Sequence, residues 1–232
     1  MTQRTALVVR GGWEGHQPVE TTDTFIPYLE QHDFAVRVED ATSILADGDY
    51  LATVDLVVHA VTMSAIEQAE LEGLRNAIAG GTGMVGWHGG IVDSYRASVD
   101  WLHLVGGQFA HHQAKAQPHE LRGEAADNFV GYRVDIVPEQ ADHPIVAGIG
   151  DFDVETEQYW VLADGYNDVL ATTTIPARDF DDWQRPVTCP AIWTRRWGLG
   201  RIVVCTVGHD LAVVSVPPVR TVIERGMTWA AR

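Results

Sequence analysis

The stretch Gly80-Gly81-Thr82-Gly83-Met84-Val85-Gly86-Trp87-His88-Gly89-Gly90-Ile91-Val92-Asp93 constrains this chain more than any other. A short apolar run, Met84-Val85, is entered through glycines and broken at Gly86-Trp87-His88-Gly89-Gly90, just ahead of a helix-like segment. That is the pattern of a buried strand turning sharply into a helix, because glycine admits positive φ and close approach of neighbouring backbone. Such a turn lifts one central side chain over the carboxyl edge of a sheet, as a nucleophile elbow does. Here that side chain is His88, and the glycines around it predict that it stands exposed where open α/β sheets bind ligands. An imidazole in that place binds a metal, shuttles a proton or donates a hydrogen bond; it is a poor nucleophile for amide chemistry. The competing reading is a tight turn whose histidine only caps the next helix.

The flanking pattern agrees with an open sheet. Thr5–Arg10, Phe34–Val38, Asp55–Ala60 and Gly83–Val85 read as strands, and the continuous apolar core of the third suits burial on both faces. Between them, Pro18 marks a helix start, and Ala65–Ala79 reads as a helix with Ser64 and Glu67 at capping-box spacing and Leu71, Leu74 and Ile78 on one face. This alternation indicates βαβ units in a doubly wound sheet. After a helix at Trp101–Val105, the middle of the chain is richer in strands: Tyr132–Val137, Asp153–Leu162 and Val169–Thr174, with a short helix expected at His143–Gly148. Ala191–Thr194 and Arg201–Val207 flank Arg196-Trp197-Gly198-Leu199-Gly200 as a hairpin, and a helix from about Pro217 closes the chain. No repeat, linker or low-complexity tract divides the sequence, so residues 1–232 read as one domain.

Charge narrows the partners. Lys+Arg is 16 against Asp+Glu 32, a formal net charge of -16. A field of that sign repels nucleic acid and anionic membranes and favours a neutral or metal-assisted small substrate. The apolar run at the N-terminus is too short for a signal peptide and no later run could span a bilayer, so a cytoplasmic location is expected. Cys189 and Cys205 fall in strand-like segments and are expected to be reduced and packed. The sequence leaves a homo-oligomer open.

Histidines follow separate strands. His16 comes after the first, His88 after the fourth, and His209, in Val207-Gly208-His209-Asp210, after the strand ending at Val207. In a parallel sheet these positions share one rim, so the three can converge. Of the pair His111/His112, one member should point inward, and His111 is expected to be that member. Glu155 and Glu157, two apart on a strand, should share a face, with Glu157 at the edge of the pocket or else paired with Arg195. Trp13 and Trp87 are candidates for a pocket floor, and Tyr159 for a sugar contact. His32, His59, His103, His119 and His143 read as surface or satisfied structural residues. Neutral imidazoles with one carboxylate form the ligand set of zinc and similar divalent metals. His88, His111 and His209 are therefore the expected metal ligands, the metal-free alternative being acid–base work by the same imidazoles.

Gly86-Trp87-His88-Gly89-Gly90, Val105-Gly106-Gly107-Gln108-Phe109 with His111 after it, Pro186-Val187-Thr188-Cys189-Pro190-Ala191-Ile192-Trp193 and Val207-Gly208-His209-Asp210 together resemble the trehalose-utilisation (ThuA-like) family. The resemblance implies the class I glutamine amidotransferase-like fold: a flavodoxin-like, doubly wound three-layer α/β sandwich with a mainly parallel sheet and an added β-hairpin. In amidotransferases of that superfamily the elbow carries cysteine and a late strand supplies histidine followed by glutamate. Here His88 takes the cysteine slot, and His209 with Asp210 resembles the late pair. Without a thiolate there is no acyl-enzyme, so glutamine hydrolysis by the usual route is excluded. ThuA-like proteins are associated with disaccharide catabolism, alongside dehydrogenases that oxidise a sugar to its 3-keto form. The resemblance thus implies an isomerase, lyase or hydrolase acting on a keto-disaccharide such as a trehalose derivative. His88, His209 and Asp210 would be catalytic; Trp13, His16, Trp87, Glu157 and Tyr159 would contact the sugar; no nucleotide cofactor is expected. The alternative is a non-catalytic sugar-binding or accessory protein on the same fold.

Overall fold

The computed structural model describes residues 3–113 and 128–232, and His119 lies outside them. The first half alternates strands and helices. β1 (Arg4–Gly12) leads through a single turn at Glu14–His16 to α1 (Pro18–Asp23) and α2 (Ile26–Gln31), followed by β2 (Phe34–Glu39), α3 (Gly48–Leu51) and β3 (Leu56–Thr62). Next come α4 (Gln68–Ala79), β4 (Gly83–Trp87), α5 (Gly89–Val92) and α6 (Val99–Val105). The second half holds β5 (Gly107–His112), β6 (Phe129–Ile136), β7 (Phe152–Glu157), β8 (Tyr159–Ala163), β9 (Asp168–Ile175), β10 (Val187–Trp197) and β11 (Gly200–Cys205), and ends in α7 (Leu211–Val214) and α8 (Pro217–Ala230).

Among the described residues nine strands form one sheet, in the order β2-β1-β3-β4-β11-β10-β9-β6-β7. β2, β1, β3, β4 and β11 are mutually parallel, while β10, β9, β6 and β7 add an antiparallel flank. The parallel part is the flavodoxin-like half expected from the sequence, and the flank extends well beyond a single hairpin. Strand pleat sorts the core into two layers. Ala6, Val8, Val58, Val85 and Val203 pack with Phe25, Leu29, Val222 and Met227 beneath α2 and α8. Leu7, Val9, Val57, Met84 and Val204 face the other way, onto Leu71, Leu74, Ile78 and Trp101 of α4 and α6. Each fully buried Leu or Ile contributes about 1.5–3 kcal/mol relative to an exposed one, so both layers are needed to hold the sheet.

Several expected boundaries move, each for a local reason. α4 starts at Gln68, and its capping box is Glu67 with Glu70, whose Oε2 accepts the Glu67 N–H at 3.0 Å. Residues 63 and 64 are instead drawn to the α5 exit, Met63 N–H donating to Asp93 O and Ser64 N–H to Ser94 O. The expected strand Asp153–Leu162 breaks at Gln158, whose buried amide donates to Thr173 Oγ1 at 2.7 Å and accepts from Gln113 Nε2 at 2.5 Å. The His143–Gly148 segment forms turns rather than a helix, with Ala147 N–H donating to His143 O and the chain turning away at Gly148, φ 73°. Cys189 and Cys205 are free and buried; Cys189 stands opposite Thr173 and Cys205 opposite Ile192.

The break at Gln158 has a spatial meaning. Phe152 and Val154 of β7 belong to the core layer under α8, whereas Tyr159 and Val161 of β8 belong to the layer under α4 and α6, where β8 pairs with β5. The β7–β8 connection therefore passes over the carboxyl rim of the parallel sheet, from one core layer to the other. Among the described residues no helix is long and apolar enough to cross a membrane.

Candidate functional site

The rim beneath that crossing is built by strand ends. β1 delivers Trp13 and His16, β3 delivers Thr62, β4 delivers His88, and β11 delivers Thr206 and His209. At the elbow His88 takes φ 48° and ψ -138°, an unusual backbone for a residue with a Cβ, fixed by its N–H donating to Cys205 O at 2.7 Å. Gly89 beside it allows a very close approach: a Cβ there would lie 2.4 Å from His16 Cε1.

His16, His88, Glu157 and His209 converge, with one candidate ligand atom from each lying within 4.8 Å of the others. Glu157 Oε2 is 3.2 Å from His88 Nε2 and 3.3 Å from His209 Nδ1, and the two nitrogens are 3.3 Å apart. All four side chains are buried. His88 Nδ1 lies 2.8 Å from Thr206 O, a carbonyl that can only accept, so Nδ1 carries the proton and Nε2 offers a lone pair. His16 Nδ1 is 3.1 Å from Thr62 Oγ1. On the far side of His88, the Tyr159 ring stacks at 4.0 Å and 26°.

Burial pushes the His16 imidazole down to about 2, helped by repulsion from His88 and His209. It lowers His88 in the same way. Burial pushes the Glu157 carboxyl upward, but the contact with His209 Nδ1 and the imidazoles of His88 and His112 close by outweigh it and hold the group below the usual carboxylate range. At neutral pH the cluster thus presents neutral His16 and His88 beside a carboxylate. These are the protonation states a divalent metal requires of its ligands. The 3.2–3.3 Å separations among His88, Glu157 and His209 also match the ~3.4 Å edge of a tetrahedron built on metal–ligand bonds of roughly 2.1 Å, with His16 farther out in a set that spans 4.8 Å. The residues present fit zinc or a similar ion.

The structure redraws several expected assignments. His88 is 1% exposed, closed in under Tyr159 rather than standing free on the rim. Glu157 sits at the centre of the cluster, not at its edge, and its neighbour Glu155 is exposed. Arg195 binds Asp164 at 2.8 Å and Asn167 at 2.9 Å, so it is not the partner of Glu157. His111 is exposed, edge-on to Trp183 at 6.0 Å, and stands outside the cluster. The inward member of the pair is His112, with Nε2 3.6 Å from Glu157 Oε1. The cause is a register shift between Phe109 and His111 in the β5–β8 pairing, which changes the alternation of faces. Asp210 is the N-cap of α7, its carboxylate accepting from Val213 N–H at 2.9 Å. Trp87 is a core residue packed on Phe25 at 5.2 Å, whereas Trp13 is 47% exposed beside His16 and His209. Thr62 and Thr206, which orient the imidazoles, carry no sequence signal beyond their places after rim strands.

His59 is structural: it is fully buried, with Nδ1 2.7 Å from Gly90 O and Nε2 2.9 Å from Tyr95 OH. Burial lowers its pKa to about 4. Since the folded value lies below the unfolded value of about 6.5, its contribution is complete above pH 6.5 and is lost as pH falls through 4. The loss amounts to about 3 kcal/mol, and depressed His16, His88 and Glu157 act in the same direction. Urea midpoints measured across that range should fall with pH, and less steeply in His59→Gln. An identical slope in the variant would remove this explanation.

Residues 5–230 match the ThuA family, described as trehalose utilisation. The chain belongs to the ThuA family. Its membership gives it a sugar-related role. A ThuA-like protein from Parabacteroides merdae superposes on this ThuA-family chain with a TM-score of 0.71 at 15% identity, over 99% of this chain and 90% of that one. Another, from Bacteroides uniformis, gives 0.70 at 15% identity over 97% and 90%. A β-galactosidase from Bacillus circulans sp. alkalophilus shares the fold over 99% of this chain but only 30% of its own length, with a TM-score of 0.56 at 12% identity. At such identities the likeness is one of fold alone. No curated protein matches the chain in sequence.

Proposed function

We propose that the chain is a metal-dependent enzyme of sugar catabolism that acts on a carbonyl-bearing disaccharide, such as a trehalose oxidised at one ring. The observation that carries this reading is the buried His16–His88–Glu157–His209 cluster at the sheet rim. These four residues would hold a divalent cation. When bound, the cation supplies Lewis acidity toward a carbonyl or hydroxyl oxygen of the sugar.

The remaining chemistry falls to the chain itself. Trp13, half exposed beside His16 and His209, offers an indole face to a sugar ring. Tyr159 closes the inner side of His88 and keeps water from it. His112 lies outside the four-residue set, its side chain 27% exposed and its buried Nδ1 without a hydrogen-bond partner among the described residues. With Glu157 Oε1 facing its Nε2, this imidazole would serve as the base that takes a proton from the carbon beside a sugar carbonyl once the substrate reaches it. Proton removal there leads to isomerisation or to elimination of the glycosidic substituent. Such a substrate must come from a dehydrogenase that oxidises the sugar.

Elemental analysis of the purified protein and turnover of 3-keto-trehalose test the reading together. About one divalent ion per chain, with turnover abolished by chelation and restored by zinc or manganese, is the expected result. Sugar binding without turnover or metal would move the protein to the accessory, sugar-binding class.

A further inference from the structure

Building on that metal site, we infer that the Thr62 hydroxyl supports both tautomers of His16 and thereby lets that imidazole join the ligand set. Thr62 ends β3, is 2% exposed, and grips the opposite loop twice. Its carbonyl accepts the Trp13 N–H at 3.1 Å, and its Oγ1 lies 3.1 Å from His16 Nδ1. The ring is hemmed in as well, since Gly89 approaches so closely that a Cβ there would lie 2.6 Å from His16 Nδ1 and 2.9 Å from Thr62 Cγ2. The contact with Thr62 Oγ1 orients the His16 ring, and in that orientation the freedom left is where its proton sits.

The contrast with His88 gives Thr62 its role. Thr206 O can only accept, so the His88 proton stays on Nδ1 and Nε2 always offers a lone pair. A hydroxyl both donates and accepts. In the metal-free protein the Thr62 O–H donates to His16 Nδ1, leaving the His16 proton on Nε2. A cation needs the Nε2 lone pair, so on loading the proton resides on Nδ1 and the Thr62 hydroxyl rotates to accept it. The ring does not move, and His16 neither gains nor loses a proton.

Zinc and cobalt(II) titrations of wild type, Thr62→Ser and Thr62→Val test this, with thermal melts confirming that each is folded and Thr62→Ala replacing valine if that variant is not. Serine keeps the hydroxyl and should bind both ions as wild type does. Valine keeps the shape and should bind roughly 10–100-fold more weakly, the usual cost of losing a group that orients a ligand. Its cobalt spectrum should also shift as His16 leaves the coordination shell. Wild-type affinity and spectrum in the valine variant would overturn the inference. Should wild type take up neither ion, the metal reading falls separately, and ¹⁵N shifts of metal-free His16 decide the tautomer: a single Nε2–H form lost in the valine variant supports control by Thr62, and an unchanged form overturns it.

Discussion

Glu157→Gln abolishes divalent-ion binding and turnover together while leaving the fold in place. Glu157 is the anionic member of the cluster and contacts His88 and His209 through one oxygen. Glutamine preserves shape but removes the charge that balances a cation, and an ion held by neutral donors alone loses several kcal/mol of attraction, on the order of 10²–10⁴-fold in affinity or rate. Stability of the metal-free protein should fall modestly, because a carboxylate held below its usual range is favoured by folding and glutamine forgoes that contribution. Metal content, turnover and a thermal melt, measured on one preparation, give the answer. Stoichiometric metal with undiminished turnover in the variant would remove Glu157 from the site and, with it, the proposed chemistry.

Gly12→Ala has the largest effect expected on the fold. Gly12 ends β1 at φ 82°, and a Cβ there would lie 1.8 Å from Thr62 O, so alanine meets backbone rather than a side chain that can turn aside. Relief requires β1 and β3 to part just where Thr62 O accepts the Trp13 N–H. Strained φ and overpacking together cost about 3 kcal/mol or more, a large share of a typical 5–15 kcal/mol total. Because the same movement carries Trp13 and His16 away from the rim, metal affinity should fall with the urea midpoint. A midpoint within about 1 kcal/mol of wild type would show that the two strands yield more easily than their geometry implies.

The parallel half of the fold was legible because its signals are local: apolar runs, glycine breaks and one strongly periodic helix. The convergence of His16, His88 and His209 followed from a single rule about strand ends. What escaped the sequence is non-local. The choice of His112 over His111 turns on a register shift against β8, which no pattern within β5 announces. The central place of Glu157 depends on where the chain leaves one sheet for another, set by the buried amide of Gln158 and its partners Gln113 and Thr173. Asp210 looked catalytic by its position next to His209, yet an aspartate ahead of a helix has a ready use as a cap.

The strap from β7 to β8 runs over the rim and joins the two core layers, with Glu157 at its crest. Proteins open in cooperative pieces, and a two-layered sandwich would ordinarily shed one layer before the other. A cation gripped at the crest by residues from β7 and from the ends of β1, β4 and β11 would act as a rivet through both. Occupancy would then merge two units of opening into one and slow amide exchange beneath α4 and α8 alike.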